Sequence, residues 1–113
     1  MVRIDSTSFG EVVVDGKTYY SDVTVWWDGR TEFRDKTHIF SMEEFLKILE
    51  KRPDTIVVGT GQHGVVKVPD EVRQVAEEQK VDLFIENSPK AMKIFNSFIT
   101  EGRKAVAVIH STC

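Results

Sequence analysis

Gly59-Thr60-Gly61-Gln62-His63-Gly64 places three glycines in six residues, directly after the β-branched run Thr55–Val58. A turn of this kind can aim several backbone N–H groups at one point, a concavity that suits an anion. Ligands of open α/β sheets sit beyond the carboxyl ends of the strands, where this loop belongs. Its fit to known phosphate loops is incomplete. A P-loop runs into Lys-Ser/Thr at a helix start, and a dinucleotide loop also opens a helix. Here the glycines lead into Val65-Val66-Lys67-Val68, which reads as extended. The competing reading is a turn whose backbone simply needs positive φ. His63 lies inside the loop and brings an imidazole that can donate or accept.

Two further side chains could join such a site. Asn96 borders the apolar stripe of the last helical segment, four residues after Met92 and three before Ile99. An amide there must find hydrogen-bond partners, either in a pocket or on neighbouring backbone. Arg103 follows a helix stop. Its guanidinium suits a carboxylate or phosphate, but it could equally hold the last helical carbonyls or pair with Glu101. The short Glu101-Gly102-Arg103 link favours a final strand parallel to Val81–Ile85. That arrangement would set Arg103 at the sheet end opposite the glycine loop; an antiparallel strand would bring the two together.

Other chemistry finds little support. His38, His63 and His110 have no metal-ligand spacing, and Cys113 is the one cysteine, so no metal site, disulfide or cofactor is expected. No G-x-S-x-G elbow supports a hydrolase triad. Cys113 sits at a terminal position ill suited to holding an activated nucleophile. No catalytic residue is expected.

The elements that would position these groups follow from pattern. Glu11–Val14, Asp15-Gly16 and Lys17–Tyr20 read as a tight hairpin. Val23–Trp27 reads as a strand closed by Asp28-Gly29, with Trp26 on the face opposite Val23 and Val25. Ser41 is expected to cap a helix with Glu44 in a capping box, and Phe40 and Phe45 to form a hydrophobic staple. Pro53 ends that helix. A second helix starts near Pro69-Asp70, and Val81–Ile85 is a strand. The last helix is expected to take Ser88 as N-cap and Pro89 as its first residue, with Ala91, Met92, Phe95, Phe98 and Ile99 as its stripe and Gly102 as its stop. Lys104–Ile109 is the final strand. A β-rich start followed by αβαβαβ predicts an α/β, three-layer fold with helices on both sheet faces. Ile56–Val58, Leu83–Ile85 and Val106–Val108 should be its central strands. Phe33, Phe40, Phe45 and Trp27 are core candidates. Trp26 is as well, although Trp26 and Tyr20 are also the residues expected to mark an exposed contact surface.

Composition agrees. At 113 residues, 41% hydrophobic and 29% charged, the chain reads as a single domain, 1–113, with one real core. The longest apolar run, Ala105–Ile109, is far short of the ~20 residues of a membrane span. The start, MVRIDSTSFG, lacks the features of a signal or transit peptide, and a reducing cytoplasm is the expected compartment. The net charge is −3 and no run of Lys or Arg exceeds two. Without a concentrated basic face, nucleic-acid binding is not expected.

Several of these residues carry a resemblance. Gly59-Thr60-Gly61 after a β-branched strand, then Ala91, Phe95-Asn96 and Glu101-Gly102-Arg103 before a small-apolar strand, resemble one family of small uncharacterised domains. Trp27, His38, Ile39 and Leu46 resemble its first half. The family includes archaeal and bacterial stand-alone proteins, a mammalian adipogenesis-associated protein and a mitochondrial complex I assembly factor. The likeness spans roughly residues 9–110. It implies a three-layer fold around a central mixed β-sheet, and assembly or regulatory roles for the eukaryotic members, with no established reaction. The chain departs from the family pattern at Asn87-Ser88-Pro89, where an acidic residue and Thr are usual, and at Phe95, where Tyr is common.

The expected function is therefore a non-enzymatic binding or assembly-type domain that acts through a protein partner or a self-interface. The alternative is a small-anion or small-molecule binding protein, or a minor enzyme, built on Gly59, Thr60, Gly61 and His63 with Asn96 and Arg103.

Overall fold

A computed structural model describes residues 1–113. The chain opens with β1 (Ile4–Ser8), β2 (Glu11–Val14) and β3 (Lys17–Tyr19), an antiparallel three-stranded sheet. Asp15 and Gly16 turn β2 into β3 with φ of 49° and 80°, as the type I′ turn requires. β4 (Asp22–Trp26) and β5 (Thr31–Arg34) form a second hairpin. Then come α1 (Met42–Leu49), β6 (Thr55–Gly59), α2 (Asp70–Glu78), β7 (Asp82–Glu86), α3 (Ser88–Thr100) and β8 (Ala105–Ile109).

The main sheet has the order β5-β4-β8-β6-β7. β6 is parallel to both β7 and β8, while β8 is antiparallel to β4. The sheet is therefore mixed, and its most buried strands are β4, β8 and β6; β8 and β6 take consecutive apolar residues because both faces are covered, while β4 carries Asp22 and Thr24 among its apolar residues. On one face α3 and the three-stranded sheet enclose Ile4, Val12, Val23, Val25, Phe95 and Ile109. On the other, α1 and α2 enclose Trp26, Phe45, Ile56, Val72 and Val108. These layers make the expected three-layer α/β architecture. No helix is long and apolar enough to cross a membrane.

Local signals are reproduced with some exchanges of role. Ser41 Oγ accepts the Glu44 N–H at 3.1 Å, and Phe40 meets Phe45 edge-on at 6.2 Å. The Glu44 carboxylate, however, turns to Arg34 instead of closing a reciprocal box. Asn87, not Ser88, caps α3 by accepting from the Lys90 N–H at 3.0 Å. Ser88 is thereby the first helical residue and Pro89 the second, and the freed Ser88 hydroxyl is used elsewhere.

Placement in the sheet accounts for the remaining differences. Leu83–Ile85 lies on β7, an edge strand covered only in part, so it is half-buried and not central. Trp26 is buried, because α1 crosses its face. Phe33 is exposed, because β5 is the opposite edge of the sheet. Of the α3 stripe, Ala91, Phe95 and Ile99 are buried, while Met92 and Phe98 stay partly exposed at its flank.

Candidate functional site

The glycine loop lies at the carboxyl ends of β6 and β8, as expected, and it is occupied by the chain itself. Gln62 N–H donates to the Thr112 carbonyl and His63 N–H to Cys113 O, each at 2.7 Å. Gly61 N–H donates to Ser88 Oγ at 2.9 Å, and Ser88 Oγ donates to the His110 carbonyl at 2.7 Å. Gly61 has φ of 109°, and a Cβ there would stand 2.3 Å from the Cys113 carbonyl carbon. Glycine is thus required twice, for its dihedral and for the close approach of residues 111–113. Thr60 bonds the Glu86 carbonyl through both its N–H and its hydroxyl. His63 is exposed. Gln62 Nε2 is buried there without an acceptor.

Beside the loop sits a polar cluster that the sequence reading missed. Asp22, at the start of β4, has no exposed surface. Its Oδ2 accepts from Arg34 Nη1 at 2.8 Å and faces His110 Nδ1 at 2.7 Å. Its Oδ1 accepts from the backbone N–H and the hydroxyl of Ser111, at 2.9 and 3.0 Å. Arg34 in turn grips Glu44 through Nε and Nη2, at 2.6 and 3.1 Å, and donates to the Ile39 carbonyl. His110 is fully buried, its Nε2 lies 3.3 Å from Thr112 Oγ1, and the His38 ring packs edge-on at 5.2 Å. An Asp–His contact of this kind orients an imidazole in catalytic triads. In this protein both ring nitrogens face a polar neighbour. The cluster ties β4, β5, α1 and β8 together at one end of the sheet, and such a pair can fix register.

One signal could have found part of it. The hairpin turn at Asp28-Gly29 sets Asp22 directly opposite Arg34, so opposite charges flank an apolar strand in register. His110 follows the apolar β8, and the neighbouring pair Val23↔Ile109 brings it to Asp22.

The remaining sequence-predicted residues lie apart from the loop. Asn96 receives the Ile4 N–H at 2.9 Å and donates to the Ile4 carbonyl at 2.8 Å, pinning β1 to α3. Arg103 reaches Thr55 Oγ1 and Asp82 at 3.2 Å each and stacks on Phe98 at 4.4 Å. Because β8 runs parallel to β6, Arg103 sits at the amino ends of the strands, opposite the loop. Gly59, Thr60, Gly61 and His63 are thus together, and Asn96 and Arg103 each stand elsewhere.

The β5 edge is open to solvent. Phe33 is 76% exposed and meets Tyr19 edge-on at 5.8 Å, with Lys17 over the Tyr19 ring. Tyr20 is 75% exposed. Trp26 N–H bonds the Arg30 carbonyl, which sets the alternation along the hairpin. Thr24–Glu32 and Asp22–Arg34 are then the bonded pairs, and Thr31 and Phe33 turn their N–H and C=O groups away from β4. A polar groove of about 520 Å³ runs between this edge and α1, lined by Thr24, Glu32, Phe33, Ser41 and Glu44 among others.

Solved structures share this fold. A conserved hypothetical protein, PH1505, from Pyrococcus horikoshii OT3 is 28% identical with a TM-score of 0.87, over 98% of this chain and 99% of that one. A protein named MT938 is 28% identical with a TM-score of 0.84, over the whole of both chains. A protein from Bordetella pertussis, described as a Mth938-like domain, shares the fold at 14% identity and a TM-score of 0.71, over 96% of this chain and 85% of that one. The family model described as protein of unknown function (DUF498/DUF598) matches residues 4–110. The chain therefore belongs to the DUF498/DUF598 family of small domains of unknown function.

Proposed function

We propose that this protein is a non-enzymatic interaction domain that binds protein through the β5 edge of its main sheet. One observation carries this reading: the exposed Phe33 and Tyr19 rings sit beside an edge strand whose outward N–H and C=O groups have no neighbouring strand. An edge of this kind can accept another strand, with backbone bonds giving affinity and alternate side chains giving specificity. Aromatic residues are also enriched at the buried centres of interfaces. The polar cluster at the strand ends supports the same reading, since its side chains bond one another and stiffen the scaffold behind the edge. A photo-crosslinking residue at position 33, compared with one at the exposed Ser97 of α3, tests this in cells. Specific protein adducts from position 33 are expected. Adducts from position 97 alone would contradict the reading.

A second reading is favoured by the unpartnered Gln62 Nε2. A small anion or carboxylate could accept from it, with the glycine-loop backbone beside it, once residues 112–113 lift away. A thermal-shift screen with inorganic phosphate and organic acids tests that. A ligand at 100 times its dissociation constant adds about 2.7 kcal/mol.

A further inference from the structure

We infer that Thr112 and Cys113 are a tethered competitor: they hold the glycine loop closed, and an oxyanion that takes their place opens it. The inference rests on the second reading above and adds how that site is regulated.

The bonding of this segment changes abruptly after Ser111. His110 N–H donates to the Gly59 carbonyl at 2.9 Å and continues the β6–β8 ladder. Ser111 is 1% exposed. Its N–H and hydroxyl both donate to Asp22, and its carbonyl accepts from the Gly10 N–H at 2.8 Å. Thr112 and Cys113 are half-buried. Apart from the Thr112 Oγ1 contact with His110 Nε2, their polar partners are the loop amides. The segment therefore turns at the Ser111–Thr112 junction. Releasing the two outer residues breaks two backbone bonds and leaves the buried anchor intact.

What they cover suits an oxyanion. The Thr112 and Cys113 oxygens sit on the Gln62 and His63 N–H groups at 2.7 Å each, so they hold the places that an anion's oxygens would take. Gly61 and Gly64, with φ of 109° and 73°, supply the left-handed residues from which backbone anion nests are made. Gln62 Nε2 is a third donor, and the closed form gives it no acceptor. The segment thus satisfies the backbone donors and leaves the side-chain donor over. An oxyanion has acceptor sites for all three, and that difference is what drives the exchange.

Competition from a tethered segment has a definite signature. Only the open fraction binds, so the apparent dissociation constant is the intrinsic one divided by that fraction. Weakening the segment's hold tightens the ligand with no change in the loop.

The experiment titrates the full chain with inorganic phosphate, and separately with acetate, and follows residues 62, 63 and 111–113 by NMR. Thr112→Gly is the comparison. It removes the Oγ1 contact with His110 and favours the open segment entropically, and it leaves the loop untouched. At least one probe should shift the Gln62 side-chain amide and free Thr112 and Cys113 on the ps–ns timescale while Ser111 stays rigid. That probe should bind Thr112→Gly about three- to tenfold more tightly than the wild-type chain. A silent wild type beside a Thr112→Gly chain that binds is the same result at its limit. Equal affinity in the two chains, or binding at Gln62 with Thr112 and Cys113 still ordered, would overturn the competitor and leave the second reading standing. No shift at Gln62 with either probe in either chain removes both.

Discussion

The two faces of the β5 strand behave in opposite ways. At Asp22 and Arg34 the hairpin closes into a knot of buried charge, where Asp22 accepts from Arg34 and Ser111 and also faces His110. One residue earlier, Phe33 projects from the opposite face of the same strand and is mostly exposed. The two residues differ in what stands over them. Arg34 faces α1, which supplies Glu44. Phe33 faces the side where the covering layer runs out beyond Tyr19. A single strand can therefore be a rigid anchor on one face and an open contact on the other, and the rigidity of the first pre-organises the second.

Breaking the anchor should cost most. Asp22→Ala leaves Arg34 and His110 facing a void, and chemical denaturation should show a loss of about 3–5 kcal/mol, as for other buried pairs stripped of one partner. Phe95→Ala removes a fully buried ring from the face beneath α3 and should cost about 3–5 kcal/mol by the same measurement. Asn96→Ala orphans the Ile4 N–H and C=O, and a loss of about 1–3 kcal/mol is expected, with exchange of β1 amides accelerated. Gly61→Ala strains a positive φ and drives a methyl into Cys113; about 1–3 kcal/mol is expected, with residues 111–113 released from the loop. Phe33→Thr sharpens the comparison from the other side. It should move stability by no more than about 0.5 kcal/mol while abolishing partner binding at this edge.

Much of the scaffold was legible because its signals are local. The Asp15-Gly16 turn, the Ser41 cap, the Phe40–Phe45 staple and the Gly102 stop each depend on residues a few positions apart. The parallel course of β8 was favoured by the short link at Glu101–Arg103, but the sequence left an antiparallel course open, and the pairing with β6 settles it. Ser88 and Asn87 exchanged roles because both can cap, and the choice turned on Gly61, 27 positions away. The Asp22–His110 contact joins residues 88 apart, and no spacing along the chain announces it. Phe33 reads as core from its type alone. Its exposure depends on β8 inserting between β4 and β6, which leaves β5 at the rim, and that order is set by the whole sheet.

Amide hydrogen exchange at Phe33, measured in the free protein and in the complex with a partner captured by crosslinking at position 33, tests the central claim most directly. Its N–H points away from β4, so it should exchange fast in the free protein and become protected in the complex. The Gln62 and His63 amides, bonded to residues 112–113, should be protected to the same degree in both. Phe33 exchange that stays fast in the complex would contradict pairing at this edge.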